Sequence, residues 1–81
     1  SIATAPALRG KGLAKYMLDE GESTARASGF DRILLEVADD NLAARALYKQ
    51  HGFSEDGRRK GYYTRANAPA RDAILMSKPI K

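Results

Sequence analysis

Cysteine is missing altogether from this 81-residue chain, so neither a disulfide framework nor a thiolate metal site can support it. The single histidine has no cysteine or carboxylate neighbours at ligand spacing, and no metal is expected. No apolar run approaches the length of a membrane span, so a spanning helix is excluded and no membrane partner is expected. The opening stretch does not resemble a signal peptide. Repeats, low-complexity tracts and obvious linkers are also missing. The length allows one small domain whose core is only marginally sufficient. Absence of cysteine fits the cytosol, and a cytoplasmic location is the expectation.

What is present is a mixed, high charge, with 14 basic and 10 acidic residues and a formal net charge of +4. A solvated surface that keeps a small protein soluble explains this, and so does an anionic partner such as a polyphosphate cofactor or a ribosomal surface. Basic residues are scattered, with one tight cluster at Arg58-Arg59-Lys60. No aromatic-basic stripe stands out, and no sequence-specific nucleic acid is expected as partner.

Ser1–Thr4 reads as the tail of a strand, stopped by Pro6. Leu13–Ser28 reads as a helix, with Leu13, Met17, Gly21 and Ala25 on one face, Ala14 and Leu18 beside them, and Gly29 as a left-handed cap. Arg32–Val37 has apolar residues on both faces, the pattern of a strand covered on both sides, and Glu36 is the polar anomaly within it. Asp39-Asp40-Asn41 offers capping side chains to a second helix, Leu42 to about His51, which Gly52 ends. Ser54–Thr64 and Arg71–Ser77 read as strands joined by the Arg65–Ala70 loop, with Asn67 and Pro69 inside it. The order strand, helix, strand, helix, strand, strand is an α/β pattern that starts with parallel crossovers and ends in a hairpin.

Arg9-Gly10-Lys11-Gly12-Leu13-Ala14 lies between a strand end and a helix start. A helix N-terminus offers unpaired N–H groups and the positive dipole end to an anion, and glycines let backbone approach closely. A Walker loop needs Ser or Thr after Gly10-Lys11, and Gly12 stands there. A dinucleotide fingerprint starting at Gly10 needs a small residue where Lys15 stands, and its strand should run straight into the glycines, whereas Pro6 intervenes. The pattern Arg/Gln-x-x-Gly-x-Gly/Ala is matched at every fixed position. A glycine-rich turn that merely starts a helix would look similar.

That pattern is the pyrophosphate loop of the GNAT superfamily of N-acetyltransferases, and the remainder of the chain resembles the same superfamily in order and spacing. Ile2-Ala3-Thr4-Ala5-Pro6 resembles its strand before the loop, and Leu35-Glu36-Val37 the strand that follows. Asn41-x-x-Ala44-x-x-x-Tyr48-x-x-x-Gly52-Phe53 resembles the helix whose Asn and Tyr border the cofactor thioester. Arg58–Tyr63 and Asp72–Met76 are similar to the branch that acetylates the N-terminal alanine of a ribosomal protein. Thr4 and Leu8 depart from the usual residues at their positions. The resemblance implies the C-terminal, cofactor-binding half of an acyl-CoA N-acyltransferase fold over residues 1–81, a partial domain. The superfamily's first three strands and first two helices are absent from this sequence.

The resemblance further implies transfer of an acetyl group from acetyl-CoA to an amine, such as a protein N-terminal amine. Glu36 is placed to take the amine proton directly or through water, although a carboxylate there could instead pair with Arg32 or Arg71. Tyr48 is the general acid on the cofactor sulfur in the matched motif; an ordinary core aromatic is the competing reading. Asn41 caps its helix, contacts the pantetheine arm, or does both. Backbone at Ile2, Ala3 and Thr4 would bond the pantetheine amides and polarise the acetyl carbonyl. Arg9, Gly10, Lys11, Gly12, Leu13 and Ala14 would hold the pyrophosphate. Tyr62 and Tyr63 could line the acceptor groove or simply pack. His51 reads as a dipole-compensating or surface residue.

A non-catalytic acyl-CoA-binding remnant and a basic ribosome- or RNA-binding module are the competing functions. The first has no need of Glu36 or Tyr48, and the second would show a steep salt dependence. Because the strand pattern is already under way at Ser1, either a missing N-terminal half or self-association is expected to cover an open edge and face.

Overall fold

The computed structural model describes residues 2–4, 11–65 and 68–80, with the side chains of 11–15, 17, 62–65 and 68–69 outside that description. Four strands and two helices follow the expected order: β1 (Ile2–Thr4), α1 (Lys11–Ala27), β2 (Arg32–Ala38), α2 (Leu42–Gln50), β3 (Ser54–Arg65) and β4 (Ala68–Pro79). The sheet order is β1-β2-β4-β3, with β1 parallel to β2 and the other pairs antiparallel. The parallel crossover and the terminal hairpin are both as expected.

Both helices end in the same way. Gly29 and Gly52 take φ of +87° and +92°, conformations that an L side chain rarely adopts. The N–H of Phe30 donates to the Ala25 carbonyl and that of Phe53 to Tyr48, each at 3.0 Å. These are Schellman stops, and they turn the phenylalanine after each glycine back towards the core. Asn41 opens α2 as its N-cap, its side-chain oxygen accepting from the Ala44 N–H at 3.2 Å. Such a cap stabilises by about 1 kcal/mol.

Strand alternation divides the sheet into unlike faces. Register sets Leu35 opposite Met76 and Val37 opposite Ile74, and these residues join Leu18 and Ala25 of α1 and Tyr48 of α2 in one buried cluster. Met76 is fully buried, and enclosing a side chain of this size stabilises by about 1.5–3 kcal/mol. The second face carries Leu34, Glu36, Leu75 and Ala73. Ala73 is fully buried but stands outside the cluster, while Leu34 and Leu75 are half-buried.

Four expectations change. Among the described residues helices cover β2 on one face, because α1 and α2 both return to the Leu35–Val37 side. Helix α1 starts at Lys11 rather than Leu13, and its buried line runs through Leu18 and Ala25 while Gly21 is exposed. Glu22, one turn after Leu18, is drawn onto Lys78 of β4, and the side chains of Leu13, Ala14 and Met17 lie outside the described residues. Strand β4 begins at Ala68, so Pro69 falls inside a strand whose first residue pairs with Arg65. This is a strand start, where a missing N–H costs least. Of Asp39, Asp40 and Asn41, only Asn41 caps α2; the two aspartates meet arginines of the hairpin. No helix among the described residues is long and apolar enough to cross a membrane.

Candidate active site

Glu36 projects from the middle of β2 on the face opposite the core, directly across from Leu75. Its side chain is 30% exposed, and Oε1 lies 3.4 Å from Nη2 of Arg59. The carboxylate therefore does not meet the expected arginines: Arg71 Nε sits 3.4 Å from Asp40, and Arg32 faces Pro79 across the β2–β4 pair. Register explains the exchange, because Arg59 stands opposite Ala73, which in turn stands opposite Ala38. Two alanines in that row leave room for a long side chain from β3 to reach across β4.

The neighbouring arginine goes the other way. Arg58 lies opposite Ile74, on the core face, and its Nη1 donates to Asp39 and to Asp72 at 2.9 Å each. Asp72 also accepts from the Gly61 N–H at 2.8 Å, where Gly61 takes φ of +62° within the irregular part of β3. That backbone N–H, followed by Arg58, holds the Asp72 carboxyl below its usual range. Asp39 is fixed twice more, its N–H donating to Asp72 O and its carbonyl accepting from Arg45. Its Oδ1 is buried with no partner among the described residues. Two members of the basic cluster read from the sequence, Arg58 and Arg59, thus meet carboxylates of the same chain while staying exposed.

Tyr48 is 3% exposed, and its ring meets that of Phe53 edge-on at a centroid distance of 5.9 Å. It belongs to the core cluster, so Glu36 and Tyr48 approach β2 from opposite faces. A reacting group serviced by both would have to lie at the margin of β2 rather than over either face. Such a margin exists towards β1. Among the described residues, β1 pairs with β2 only as far as Thr4 opposite Leu34, which leaves Leu35–Ala38 with no described partner on that side. Asn41 and the exposed Leu42 open α2 at the end of β2 beyond this margin. His51 is not a free surface residue: it is the C-cap of α2, 13% exposed, with Nε2 3.3 Å from Asp19 of α1.

Lys11–Ala14 form the first turn of α1, which contains no acidic residue, so no carboxylate of that turn offsets the positive end of the helix dipole. Arg9 and Gly10 lie outside the described residues, as do the side chains of Lys11, Leu13 and Ala14. Ile2 and Thr4 sit on the outer face of β1, with Ile2 52% exposed, and Ala3 packs against the core. Tyr62 and Tyr63 lie within β3, where register sets Tyr63 opposite Arg71; their side chains are not described. The residue missed in the sequence is Arg59, which looked like part of a basic patch. Strand alternation separating it from Arg58 was the available signal.

Comparison with known proteins gives the family and the fold. The model of the acetyltransferase (GNAT) family matches residues 1–53. A [ribosomal protein bS18]-alanine N-acetyltransferase from Salmonella typhimurium is 36% identical over 80 residues, covering 99% of this chain and 53% of that protein. A crystal structure of a GNAT-family acetyltransferase from Streptococcus pneumoniae superposes with a TM-score of 0.85 at 32% identity, covering 98% of this chain and 51% of the other. The ribosomal-protein-S18-alanine N-acetyltransferase of Escherichia coli superposes with a TM-score of 0.78 at 36% identity, covering 86% and 44%. The chain spans about half the length of the curated relatives it matches.

Proposed function

We propose, from the premise that this chain belongs to the acetyltransferase (GNAT) family, that it serves the transfer of an acetyl group from acetyl-CoA to an amine. The acceptor we assign is a protein N-terminal amine, with an N-terminal alanine of a ribosomal protein as the first candidate. Relatives named for that activity support this choice, at 31–36% identity over nearly the whole chain. The observation that carries the reading is a carboxylate on one face of β2 and a tyrosine approaching from the other, with β2 unpaired beyond Leu34 on its β1 side among the described residues.

The chemistry asks three things of the residues. Glu36 accepts a proton from the acceptor nitrogen as that nitrogen bonds to the thioester carbonyl carbon. Backbone of Ile2, Ala3 and Thr4 holds the pantetheine arm and stabilises the charge that develops on the carbonyl oxygen. Tyr48 donates its proton to the sulfur as the carbon–sulfur bond breaks. The proton count then closes: one leaves the amine and one reaches the thiol. Asn41 keeps its capping bond and borders the pantetheine with the remainder of its amide. Arg9–Ala14 receive the pyrophosphate through N–H groups, the dipole and basic side chains, and Tyr62 and Tyr63 line the acceptor groove.

The RNA-binding alternative is weakened by the pairing of Arg58 and Arg59 with carboxylates of the chain itself. Titration with acetyl-CoA, followed by acetylation of a peptide with N-terminal alanine, tests the proposal. Gly12→Asp should remove cofactor binding while circular dichroism stays native, a loss on the order of 2–4 kcal/mol from repulsion and desolvation at the pyrophosphate. Undiminished binding by that variant would refute the assignment of the loop.

A further inference from the structure

We infer that Arg59 is a positioning residue for the base, holding the Glu36 carboxylate by one oxygen so that the other faces the acceptor amine. This rests on the reading of Glu36 as the base. Arg59 belongs to β3, two strands away from β2, and nothing in local sequence connects the two residues. They meet because β4 between them carries alanine at position 73, and because alternation sends Arg59, not Arg58 or Lys60, to the Glu36 face. The pair uses Nη2 and Oε1 at 3.4 Å. Oε2 is the oxygen we assign to the proton in flight.

The other arginines near the pair meet other carboxylates. Arg58 is held between Asp39 and Asp72 on the core face, and Arg71 meets Asp40. An arginine suits this task because its guanidinium is planar and always charged, so it fixes the orientation of a carboxylate at any working pH. It cannot itself take the amine proton. Both partners are partly exposed, with 53% of the Arg59 side chain and 30% of the Glu36 side chain accessible, so the pair is screened and its value lies in orientation more than in stability. A base that must meet a nitrogen within hydrogen-bond reach loses rate when its carboxylate is free to turn away.

The test uses Arg59→Met, which keeps aliphatic length, Arg59→Lys, which keeps charge, and Glu36→Gln, alone and combined with Arg59→Met. Turnover of an N-terminal peptide is measured in the full chain alongside acetyl-CoA affinity. Arg59→Met should lower kcat about tenfold, more than an exposed Coulomb pair and less than loss of the base itself. Acetyl-CoA affinity should stay unchanged, and Arg59→Lys should recover most of the rate. In the Glu36→Gln background Arg59→Met should have no further effect. A slow Glu36→Gln variant beside a fully active Arg59→Met overturns the role of Arg59 and leaves the base standing. The same is true if Arg59→Met costs as much with Glu36 removed as with it present, since Arg59 then acts independently. Full turnover by Glu36→Gln overturns the base reading, and this inference with it.

Discussion

Tyr48 carries two demands at once, since its ring is built into the core and its hydroxyl is assigned the proton for the leaving sulfur. The ring packs edge-on against Phe53 and is almost wholly enclosed. Tyr48→Phe removes the oxygen alone and preserves that packing. Turnover should fall by about 10²–10⁴ while acetyl-CoA affinity and melting temperature stay close to the parent, as expected for a general acid. A variant that keeps full turnover would return Tyr48 to an ordinary core aromatic. At this scale the sequence was informative where a motif position and a local structural role coincide. Asn41 could be read as a cap from its spacing alone, and it caps. The partner of Glu36 could not be read, because Arg59 reaches it through a register that only the assembled sheet defines.

The elements were legible because their stops are local. Each helix ends at a Gly-Phe pair, and each glycine takes the positive φ that its position suggested. What was not legible was how Gly21 and Glu22 divide between solvent and sheet. Spacing puts Gly21 on the apolar face of α1, whereas Glu22 is the residue drawn onto the sheet, at Lys78. A Cβ built on Gly21 would meet nothing within 4 Å, and the residue sits well inside Lys11–Ala27. Gly21→Ala should therefore stabilise the protein by about 0.5–1 kcal/mol, from reduced backbone freedom in the unfolded chain and better helix propensity. Thermal unfolding followed by circular dichroism measures this. A lower melting temperature would mean that the small residue serves a contact on that face. The hairpin was the least legible element, since Pro69 marks a loop by composition but stands where β4 has already begun.

At the scale of the whole molecule, the sequence called for cover on both faces of β2, and the described residues place helices on one. Three carboxylates also link the described elements. Glu22 ties α1 to β4 through Lys78, Glu55 ties β3 to α2 through Arg45, and Asp72 ties β4 to β3 through the Gly61 N–H and Arg58. All three are held below the usual carboxylate range, chiefly by a hydrogen bond to Lys78, to Arg45 and to the Gly61 N–H respectively. A carboxylate whose folded pKa is depressed binds its proton more readily in the unfolded chain, so acid favours unfolding. The stability these groups contribute is complete above the unfolded carboxylate range, about pH 4–4.5, and drains away as pH falls through their folded values. Arg45 and Arg58 are shifted upwards by the same pairs, so both remain charged throughout this window. Urea unfolding at a series of pH values should give a plateau near neutrality and a steady decline below about pH 4.5. Glu22→Gln should lower the plateau and make the decline shallower, because one of the three titrating links is gone. Added salt should flatten the share due to Asp72 most, because its partner Arg58 is 44% exposed against 22% for Lys78 and for Arg45. Stability that stayed level from neutrality down to about pH 3 would show that these links do not hold the elements together.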